Sequence, residues 1–176
     1  MTGERIVGLL ADRLDNMHVT AVAPGGAISG ELRGRDCVRV TFAVGRYQWL
    51  DERYVEQQLA GLGRLLWAGR MKAYWAAVSE ALGTSVSGED PPVGPRDVDY
   101  QSARGGIVAE GRSDDGSVQI EVRGMRDWTV RIVPGSLRRF REDEFSVRVQ
   151  QAATALIRDQ FAQVRSLKDT IYGTAG

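Results

Sequence analysis

The chain matches itself at a spacing of ninety residues. Aligned at this spacing without gaps, segment 26–34 (GAISGELRG) falls on segment 116–124 (GSVQIEVRG). Turns, strand parity and helix starts keep the same register, and a one-residue slip would turn each strand's apolar residues to the wrong face. The pattern predicts two copies of one structural unit, and two unrelated segments with common turn chemistry are the alternative. The same shift aligns further apolar and turn positions: Val38 with Trp128, Val40 with Val130, Phe42 with Ile132 and Gly45 with Gly135.

Each copy is predicted to contain three short β-strands. Apolar and polar residues alternate in these segments, which is typical of strands with one buried face. Pro24-Gly25-Gly26 and Asp114-Asp115-Gly116 are turn signals between them. Because the connections are short and polar, each set of strands is predicted to form an antiparallel meander. The predicted strands are 19–23, 28–33 and 38–42 in the first copy, and 108–112, 118–123 and 128–132 in the second.

A long helix is predicted at the end of each copy, from about Asp51 to Leu82 and from about Glu142 to Tyr172. Apolar residues recur in both segments at helical spacing. Asp51 is a candidate N-cap, and a glycine follows each helix (Gly83 and Gly173) where a left-handed C-cap would lie. A helix of about 30 residues is about 45 Å long. Since a small sheet cannot cover that length, part of each apolar stripe is expected to meet another helix or another subunit.

These elements divide the chain into a first unit at 1–83, a linker at 84–105 and a second unit at 106–176. Three prolines with Ser, Gly and Asp give segment 84–105 the composition of a linker. The expected fold class is α+β, with two tandem β-β-β-α units. Each unit is expected to have an antiparallel three-stranded meander and a long C-terminal helix, and the pair to form a pseudo-twofold intramolecular dimer.

A short amphipathic helix is predicted before the first strand, from Thr2 to about Asp15, because apolar residues recur there every four positions. Thr2 is a candidate cap for its start. No clear equivalent of this helix is predicted before the second unit, although Asp97 to Ala103 could hold a short helical turn.

The sequence offers little material for catalytic chemistry. His18 and Cys37 are the single histidine and the single cysteine, so a catalytic triad or a Cys-His pair would have to use them. A zinc site of His and Cys would need carboxylates at matching spacing, and no phosphate-binding glycine motif occurs. We therefore expect a non-enzymatic protein with no cofactor and no metal site. An enzyme with a carboxylate site is the third class left open.

The balance of charged residues and the lack of long apolar segments indicate where the protein is located and which partners it can have. Lys+Arg number 23 and Asp+Glu number 23, which argues against a polycation that coats nucleic acid but leaves room for a local basic patch. The N-terminal residues lack the layout of a signal peptide, and no apolar run approaches the ~20 residues of a membrane helix. We expect a soluble, cytoplasmic protein with no membrane partner.

A family resemblance rests on two segments of the second copy, 111–124 (GRSDDGSVQIEVRG) and 128–137 (WTVRIVPGSL). They resemble the hairpin of the YbaB/EbfC family, its third strand and its proline-containing exit into the last helix. The first copy has the same layout, with 42–47 (FAVGRY) in place of that exit and no proline.

The resemblance implies a fold and a range of functions. Members of the family form homodimers, and many are nucleoid-associated proteins that bind DNA without strong sequence preference. Divergent actinobacterial relatives are associated with type VII (ESX) secretion loci. For this chain the resemblance implies that one polypeptide carries both halves of the usual dimer, as a monomer or within a homodimer. The family's long N-terminal helix, which contributes to DNA contact, is short in the first copy and unrecognised in the second.

Two binding hypotheses follow, one for DNA and one for a protein partner. Arginines concentrated around the second hairpin and the entrance of the last helix would neutralise phosphates, or would form an ordinary solvated face. A group of aromatic residues and Met near the end of the first long helix has the composition of an interface, or would fill the joint between the two units. The candidate DNA-binding residues are Arg123, Arg126, Arg131, Arg138, Arg139 and Arg141. The candidate partner-binding residues are Trp67, Met71, Tyr74 and Trp75.

Overall fold

A computed structural model describes residues 3–173 of the chain. The protein is α+β, with two three-stranded antiparallel sheets and a long C-terminal helix. The predicted cap at Thr2 lies outside the described residues. In chain order the elements are α1 (Gly3–Asp15), β1 (His18–Val22), β2 (Ile28–Arg33), β3 (Cys37–Phe42), a 3₁₀ helix (Tyr47–Trp49), α2 (Glu52–Leu82), α3 (Pro95–Gly105), β4 (Val108–Arg112), β5 (Val118–Arg123), β6 (Asp127–Ile132), α4 (Ser136–Arg139) and α5 (Glu142–Tyr172).

The two sheets share one strand order and one register. Strand β2 lies between β1 and β3, and β5 lies between β4 and β6, all antiparallel. His18 pairs with Arg33 in the first sheet, and Val108 pairs with Arg123 in the second, so each partner is displaced by ninety residues. The predicted strands are therefore confirmed, with β1 shifted by one residue and β3 and β6 each beginning one residue earlier.

The turns that close the sheets keep the same spacing. Gly34 (φ 59°) and Gly124 (φ 56°) both adopt the left-handed conformation, which glycine reaches without steric cost. The N–H of Gly34 donates to the Met17 carbonyl, and the N–H of Gly124 donates to the Ile107 carbonyl, each at 2.8 Å. The same two hydrogen bonds thus tie the β2–β3 and β5–β6 turns to the residue before each sheet.

The long helices have the predicted bounds, and the predicted left-handed C-cap forms at only one of them. The N–H of Tyr54 donates to the Asp51 carboxylate at 2.9 Å, which confirms Asp51 as the N-cap of α2. Gly83 is left-handed (φ 67°), as expected for a C-cap. The same prediction for Gly173 is wrong, since its φ is −76°. Its N–H donates to the Asp169 carbonyl at 2.9 Å, so the last helical hydrogen bond continues through the glycine.

The segment predicted as a linker contains an additional helix, α3. Its eleven residues start at Pro95, whose fixed φ suits the first turn of a helix. The Tyr100 side chain is buried and packs against Tyr172 of α5, with ring centroids 5.6 Å apart. The expectation that only a short turn forms here is therefore wrong. Helix α3 ends at Gly105, ninety residues after the last residue of α1 at Asp15.

Each long helix covers strands of both sheets. Helix α2 packs on β1, β2 and β6, whereas α5 packs on β4, β5 and β3. Helices α1 and α3 lie on the outer ends of α2 and α5 respectively. Because the third strand of each sheet is covered by the helix from the other half, one continuous apolar core joins the two halves.

The contact between α2 and β6 depends on a small residue in the helix. A Cβ atom at Gly63 would lie 2.8 Å from the Trp128 ring, closer than two such atoms normally approach. Trp128 lines the interior together with Leu62 and Leu156, on the same face of β6 as Val130. Trp128 therefore faces the interior, although it is only partly buried.

Candidate binding groove

A groove opens where the C-terminal parts of α2 and α5 extend beyond the sheets. It has a volume of about 610 Å³, within the range of about 300–1,000 Å³ typical of ligand sites. We call it the interhelical groove. Its main lining residues are Trp67, Arg70, Met71, Tyr74 and Trp75 of α2; Tyr100, Gln101 and Arg104 of α3; Met125 and Arg126 of the β5–β6 turn; and Gln160, Phe161, Val164 and Lys168 of α5.

All four predicted partner-binding residues lie in this groove. Trp67, Met71, Tyr74 and Trp75 are spaced so that one face of α2 presents them together. The rings of Tyr74 and Trp75 meet edge to face, with centroids 5.0 Å apart. None of the four is fully buried, so they form the wall of an open groove as well as part of the joint between the helices.

Arg70 lies on the floor of the groove and is 7% exposed. Its guanidinium lies over two aromatic rings, 5.5 Å from the Trp67 centroid and 5.0 Å from the Phe161 centroid. Its Nε has no hydrogen-bond partner in the structure. Within residues 3–173, no carboxylate oxygen lies within 4.0 Å of its guanidinium nitrogens. Arg70 is therefore a buried charge without a counter-ion among the described residues.

The surroundings of Arg70 do not favour its charge. Burial lowers the pKa of the Arg70 guanidinium, and the nearby positive charge of Arg35 lowers it further, while Tyr74 opposes the shift. The two ring faces supply cation–π stabilisation of about 0.5–2 kcal/mol. An arginine still stays protonated at neutral pH because its reference pKa is so high. The floor of the groove consequently carries a positive charge that the fold does not neutralise.

Gln160 provides an unpaired acceptor in the same groove. It is 5% exposed, and its Oε1 has no hydrogen-bond partner in the structure. Gln160 lies in α5 ninety residues after Arg70, so the two occupy corresponding positions of the two long helices. Buried polar atoms without partners are uncommon in folded proteins and require a specific explanation.

Further charges lie along the rim of the groove. Arg104 forms an ion pair with Glu89, and that hydrogen bond raises the Arg104 pKa. Arg126 and Lys168 also line the groove, and neither has a carboxylate partner within 4.0 Å in the described part of the chain. Four cationic side chains therefore face one carboxylate, which is already engaged.

The six predicted DNA-binding arginines do not form one patch. Arg123 and Arg126 lie at the β5–β6 turn, whereas Arg131 lies at the other end of β6, next to the α4 segment that carries Arg138 and Arg139. Arg131 follows Arg126 by five residues of extended chain, a distance of about 17 Å. The arginines expected to gather in one place therefore form two separate groups, one at the hairpin and one at the helix entrance. Of the six, only Arg126 lines the interhelical groove.

The partners of these arginines also differ. Arg123 lies opposite Asp127 in the register of the sheet. Arg141 forms ion pairs with Asp143 at 3.5 Å and Glu144 at 3.7 Å, as its position at the start of an acidic helix suggests. The guanidinium of Arg139 lies 5.1 Å from the Phe140 ring centroid. Charge at the helix entrance is therefore partly compensated, and the positive field there is weaker than the sequence suggests.

The sequence interpretation missed Arg70 and Gln160, although Arg70 leaves a signal. Leu62, Leu66, Arg70 and Tyr74 follow one another at four-residue spacing, so the charge falls inside the apolar stripe of α2. Gln160 gives no comparable signal, because glutamine is common on exposed helix faces. Its burial depends on the approach of α2, which only the fold reveals.

His18 and the Asp114-Asp115 turn have structural roles in the fold. The His18 ring Nε2 lies 2.9 Å from the Glu31 carboxylate across the first sheet. The Asp115 carboxylate accepts hydrogen bonds from the Ser117 hydroxyl at 2.6 Å and from Arg148 at 2.6 Å, which closes the hairpin beneath α5. Residues 3–173 contain no group of three or more potential metal ligands, and none of their helices has the length and apolar character to cross a membrane.

Comparison of this chain with known protein families, with curated proteins and with solved structures gives no match.

Proposed function

We propose that the protein is an internally duplicated, non-enzymatic binding protein of the YbaB/EbfC type that captures a protein partner in the interhelical groove. In this proposal it is an adaptor or accessory protein of the cytoplasm, of the kind that the resemblance associates with type VII secretion. The two halves form the pseudo-twofold equivalent of a homodimer.

The duplication is supported by the spacing of the elements. Strand registers, left-handed turn glycines and the ends of the short helices recur ninety residues apart. Helices α2 (Glu52–Leu82) and α5 (Glu142–Tyr172) obey the same shift at both ends. Unrelated segments would have no reason to agree at so many independent boundaries.

The observation that carries the binding role is the composition of the groove. Aromatic residues and Met are enriched in protein interfaces because they bury large areas and adapt their shape. Trp67, Met71, Tyr74 and Trp75 lie together with a buried, unneutralised Arg70 in a cleft large enough for several side chains. A surface that only completed the core would have no use for that charge.

Nonspecific DNA binding is the second candidate. It is favoured by Arg126, Arg131 and Arg138, which have no carboxylate partner within 4.0 Å in the described structure. Binding through such residues would fall steeply with salt concentration. The separation of the arginines and the zero net charge of the chain make this the weaker of the two functions.

An affinity pull-down from the native host tests the first proposal. The wild-type protein, a Trp75→Ala variant and a Trp49→Ala variant serve as baits. Trp49 is a matched control, since it is 79% exposed and lies before α2, outside the groove. We expect a protein retained by the wild type and by Trp49→Ala but lost with Trp75→Ala.

A gel-shift titration with duplex DNA at low and moderate salt separates the two functions. Two results together would reject the adaptor function in favour of DNA binding. They are a salt-sensitive shift at micromolar protein and a pull-down in which no protein is lost with Trp75→Ala. No shift at low salt would discard DNA binding.

A further inference from the structure

We propose that the interhelical groove recognises an acidic side chain flanked by apolar residues in a peptide segment of the partner, with Arg70 as the group that binds the carboxylate. This inference rests on the proposed protein-binding function and specifies the chemistry of the ligand. Arg70 supplies the charge, Gln160 supplies an acceptor, and the aromatic wall supplies the apolar contact.

The first argument is the state of Arg70 itself. Placing a charge in a protein interior is strongly unfavourable unless the charge is paired and hydrogen-bonded. Arg70 is 7% exposed, with an unpaired Nε and no carboxylate within 4.0 Å in the described part of the chain. A ligand carboxylate would complete the pair, and the guanidinium fork matches that group with two parallel hydrogen bonds.

The second argument is the unpaired acceptor that lines the same groove. A peptide presents a backbone N–H close to every acidic side chain, so it carries a donor together with its carboxylate. The unpaired Oε1 of Gln160 is suited to accept from such an N–H, while Arg70 donates to the carboxylate. An inorganic anion would satisfy Arg70 and leave Gln160 without a partner.

The third argument concerns the charge around the groove. Arg126 and Lys168 add positive charge at the rim, and Glu89, the single carboxylate among the described lining residues, is already paired with Arg104. This arrangement attracts an acidic segment and leaves no free carboxylate in the lining to repel it.

The aromatic residues favour a peptide over a single-stranded nucleic acid. Base recognition on single strands uses free aromatic faces as stacking platforms. Here the Arg70 guanidinium already lies against the Trp67 and Phe161 rings, at 5.5 and 5.0 Å from their centroids. Tyr74 meets Trp75 edge to face. The remaining apolar surface, which includes Met71 and Val164, suits aliphatic or aromatic side chains next to the acidic one.

Selection from a random dodecapeptide library displayed on phage tests the inference. The baits are the wild type, Arg70→Met, which keeps a side chain of similar length without the charge, and Arg64→Met. Arg64 is the matched control because it is an exposed arginine of the same helix outside the groove. Circular dichroism and thermal unfolding of each bait establish that the variants are folded.

We expect the wild type and Arg64→Met to enrich peptides with Asp or Glu next to apolar residues. Arg70→Met should lose the acidic preference. A synthetic peptide made from the selected sequence should bind at least tenfold more weakly when its acidic residue is changed to the amide. Isothermal titration calorimetry measures this difference.

The failures of the two proposals look different. Peptides enriched by the wild type that lack acidic residues would overturn this inference and leave the protein-binding function standing. Failure of the wild type to enrich any peptide would count against both. Binding of an oligothymidylate that competes with the selected peptide and is lost in Arg70→Met would replace the peptide ligand with a nucleic acid.

Discussion

The two portions of each long helix differ in what they bury. The N-terminal portion of α2 places Val55, Leu59 and Leu62 against the sheets, and the N-terminal portion of α5 does the same with Phe145 and Val149. The C-terminal portions extend past the sheets and bury two long polar side chains, Arg70 and Gln160, together with the small Ala77 and Ala81. The first part of each long helix therefore stabilises the core, whereas the second part contributes polar side chains to an open groove.

The largest effect is expected for a substitution in the covered portion. Phe145 has no exposed surface and packs against Phe42 and Tyr47, with ring centroids 6.0 Å from each. Phe145→Ala should lower the free energy of unfolding by about 3–5 kcal/mol, because it removes a buried ring and leaves a cavity. Urea denaturation measures the change.

Val147→Ala, two residues away and 48% exposed, is the control and should stay within about 0.5 kcal/mol. Equal losses in both variants would remove the distinction between the covered and the exposed faces of α5.

The groove portion should respond with the opposite sign. Arg70→Met removes an unpaired buried charge and keeps most of the side-chain volume. We expect the free energy of unfolding to be unchanged or raised by up to about 2 kcal/mol. Urea denaturation of Arg70→Met beside Arg64→Met is the measurement. A loss above about 1 kcal/mol would mean that Arg70 stabilises the fold, and the comparison between the two helix portions would fail.

A smaller effect is expected where the two halves meet beside the long helices. The Tyr47 hydroxyl donates to the Phe140 carbonyl at 2.8 Å, across 93 residues of sequence. Tyr47→Phe should lower the free energy of unfolding by about 0.5–1.5 kcal/mol. No change in urea denaturation would show that this hydrogen bond adds nothing to the junction.

The same tyrosine gives a spectroscopic test. Burial, with Glu142 and Glu52 as further causes, raises the pKa of Tyr47 to about 12. Its stabilising contribution should therefore be complete below about pH 10, the ordinary tyrosine value, and be lost as the pH rises towards 12. Absorbance titration of the wild type against Tyr47→Phe should show one phenol fewer ionising near pH 12.

The smallest effect concerns the turn beneath α5. The Ser117 hydroxyl and backbone, together with Arg148, hold the pKa of Asp115 far below its usual value. A carboxylate with a lowered pKa in the folded state stabilises the fold above its unfolded pKa of about 4, and this contribution is lost as the pH falls. The Asp115 side chain is 38% exposed, so we expect less than about 1 kcal/mol.

Urea denaturation of the wild type and Asp115→Asn between pH 7 and pH 2 measures this contribution. The difference between them should narrow as the pH falls below about 4. A difference that stays constant would show that the carboxylate charge plays no part. Ser117→Ala removes the largest cause of the shift. The difference in unfolding free energy between the wild type and Ser117→Ala should also narrow as the pH falls.

Local patterns in the sequence were enough to predict the strands and the long helices. Period-two alternation and the turn glycines placed all six strands within one residue. Asp51 and Glu142 marked the helix starts, because capping residues and acidic first turns act within a few positions. Such features depend on neighbours in the sequence, which is why they could be recognised before the fold was known.

Features that depend on distant contacts were mispredicted or missed. The prolines around helix α3 predict a linker, because the packing of Tyr100 on α5 is not visible in the sequence. Gly173 resembled Gly83, yet the hydrogen bond to Asp169 keeps it right-handed. In the groove, the aromatic residues were recognised by composition, whereas the burial of Arg70 and Gln160 depends on how the two long helices approach each other.

Arg70 and Gln160 differ although they occupy corresponding positions of the two long helices. This difference has a consequence for stoichiometry. Two identical subunits would have to present the same residue at both positions, and would accept either two ligands or one that is itself symmetric. A single polypeptide is free of that restriction, because a substitution on one side need not be copied to the other. Such a cleft can hold one ligand in one orientation. A peptide, whose two ends differ, can therefore be bound with one peptide per protein molecule.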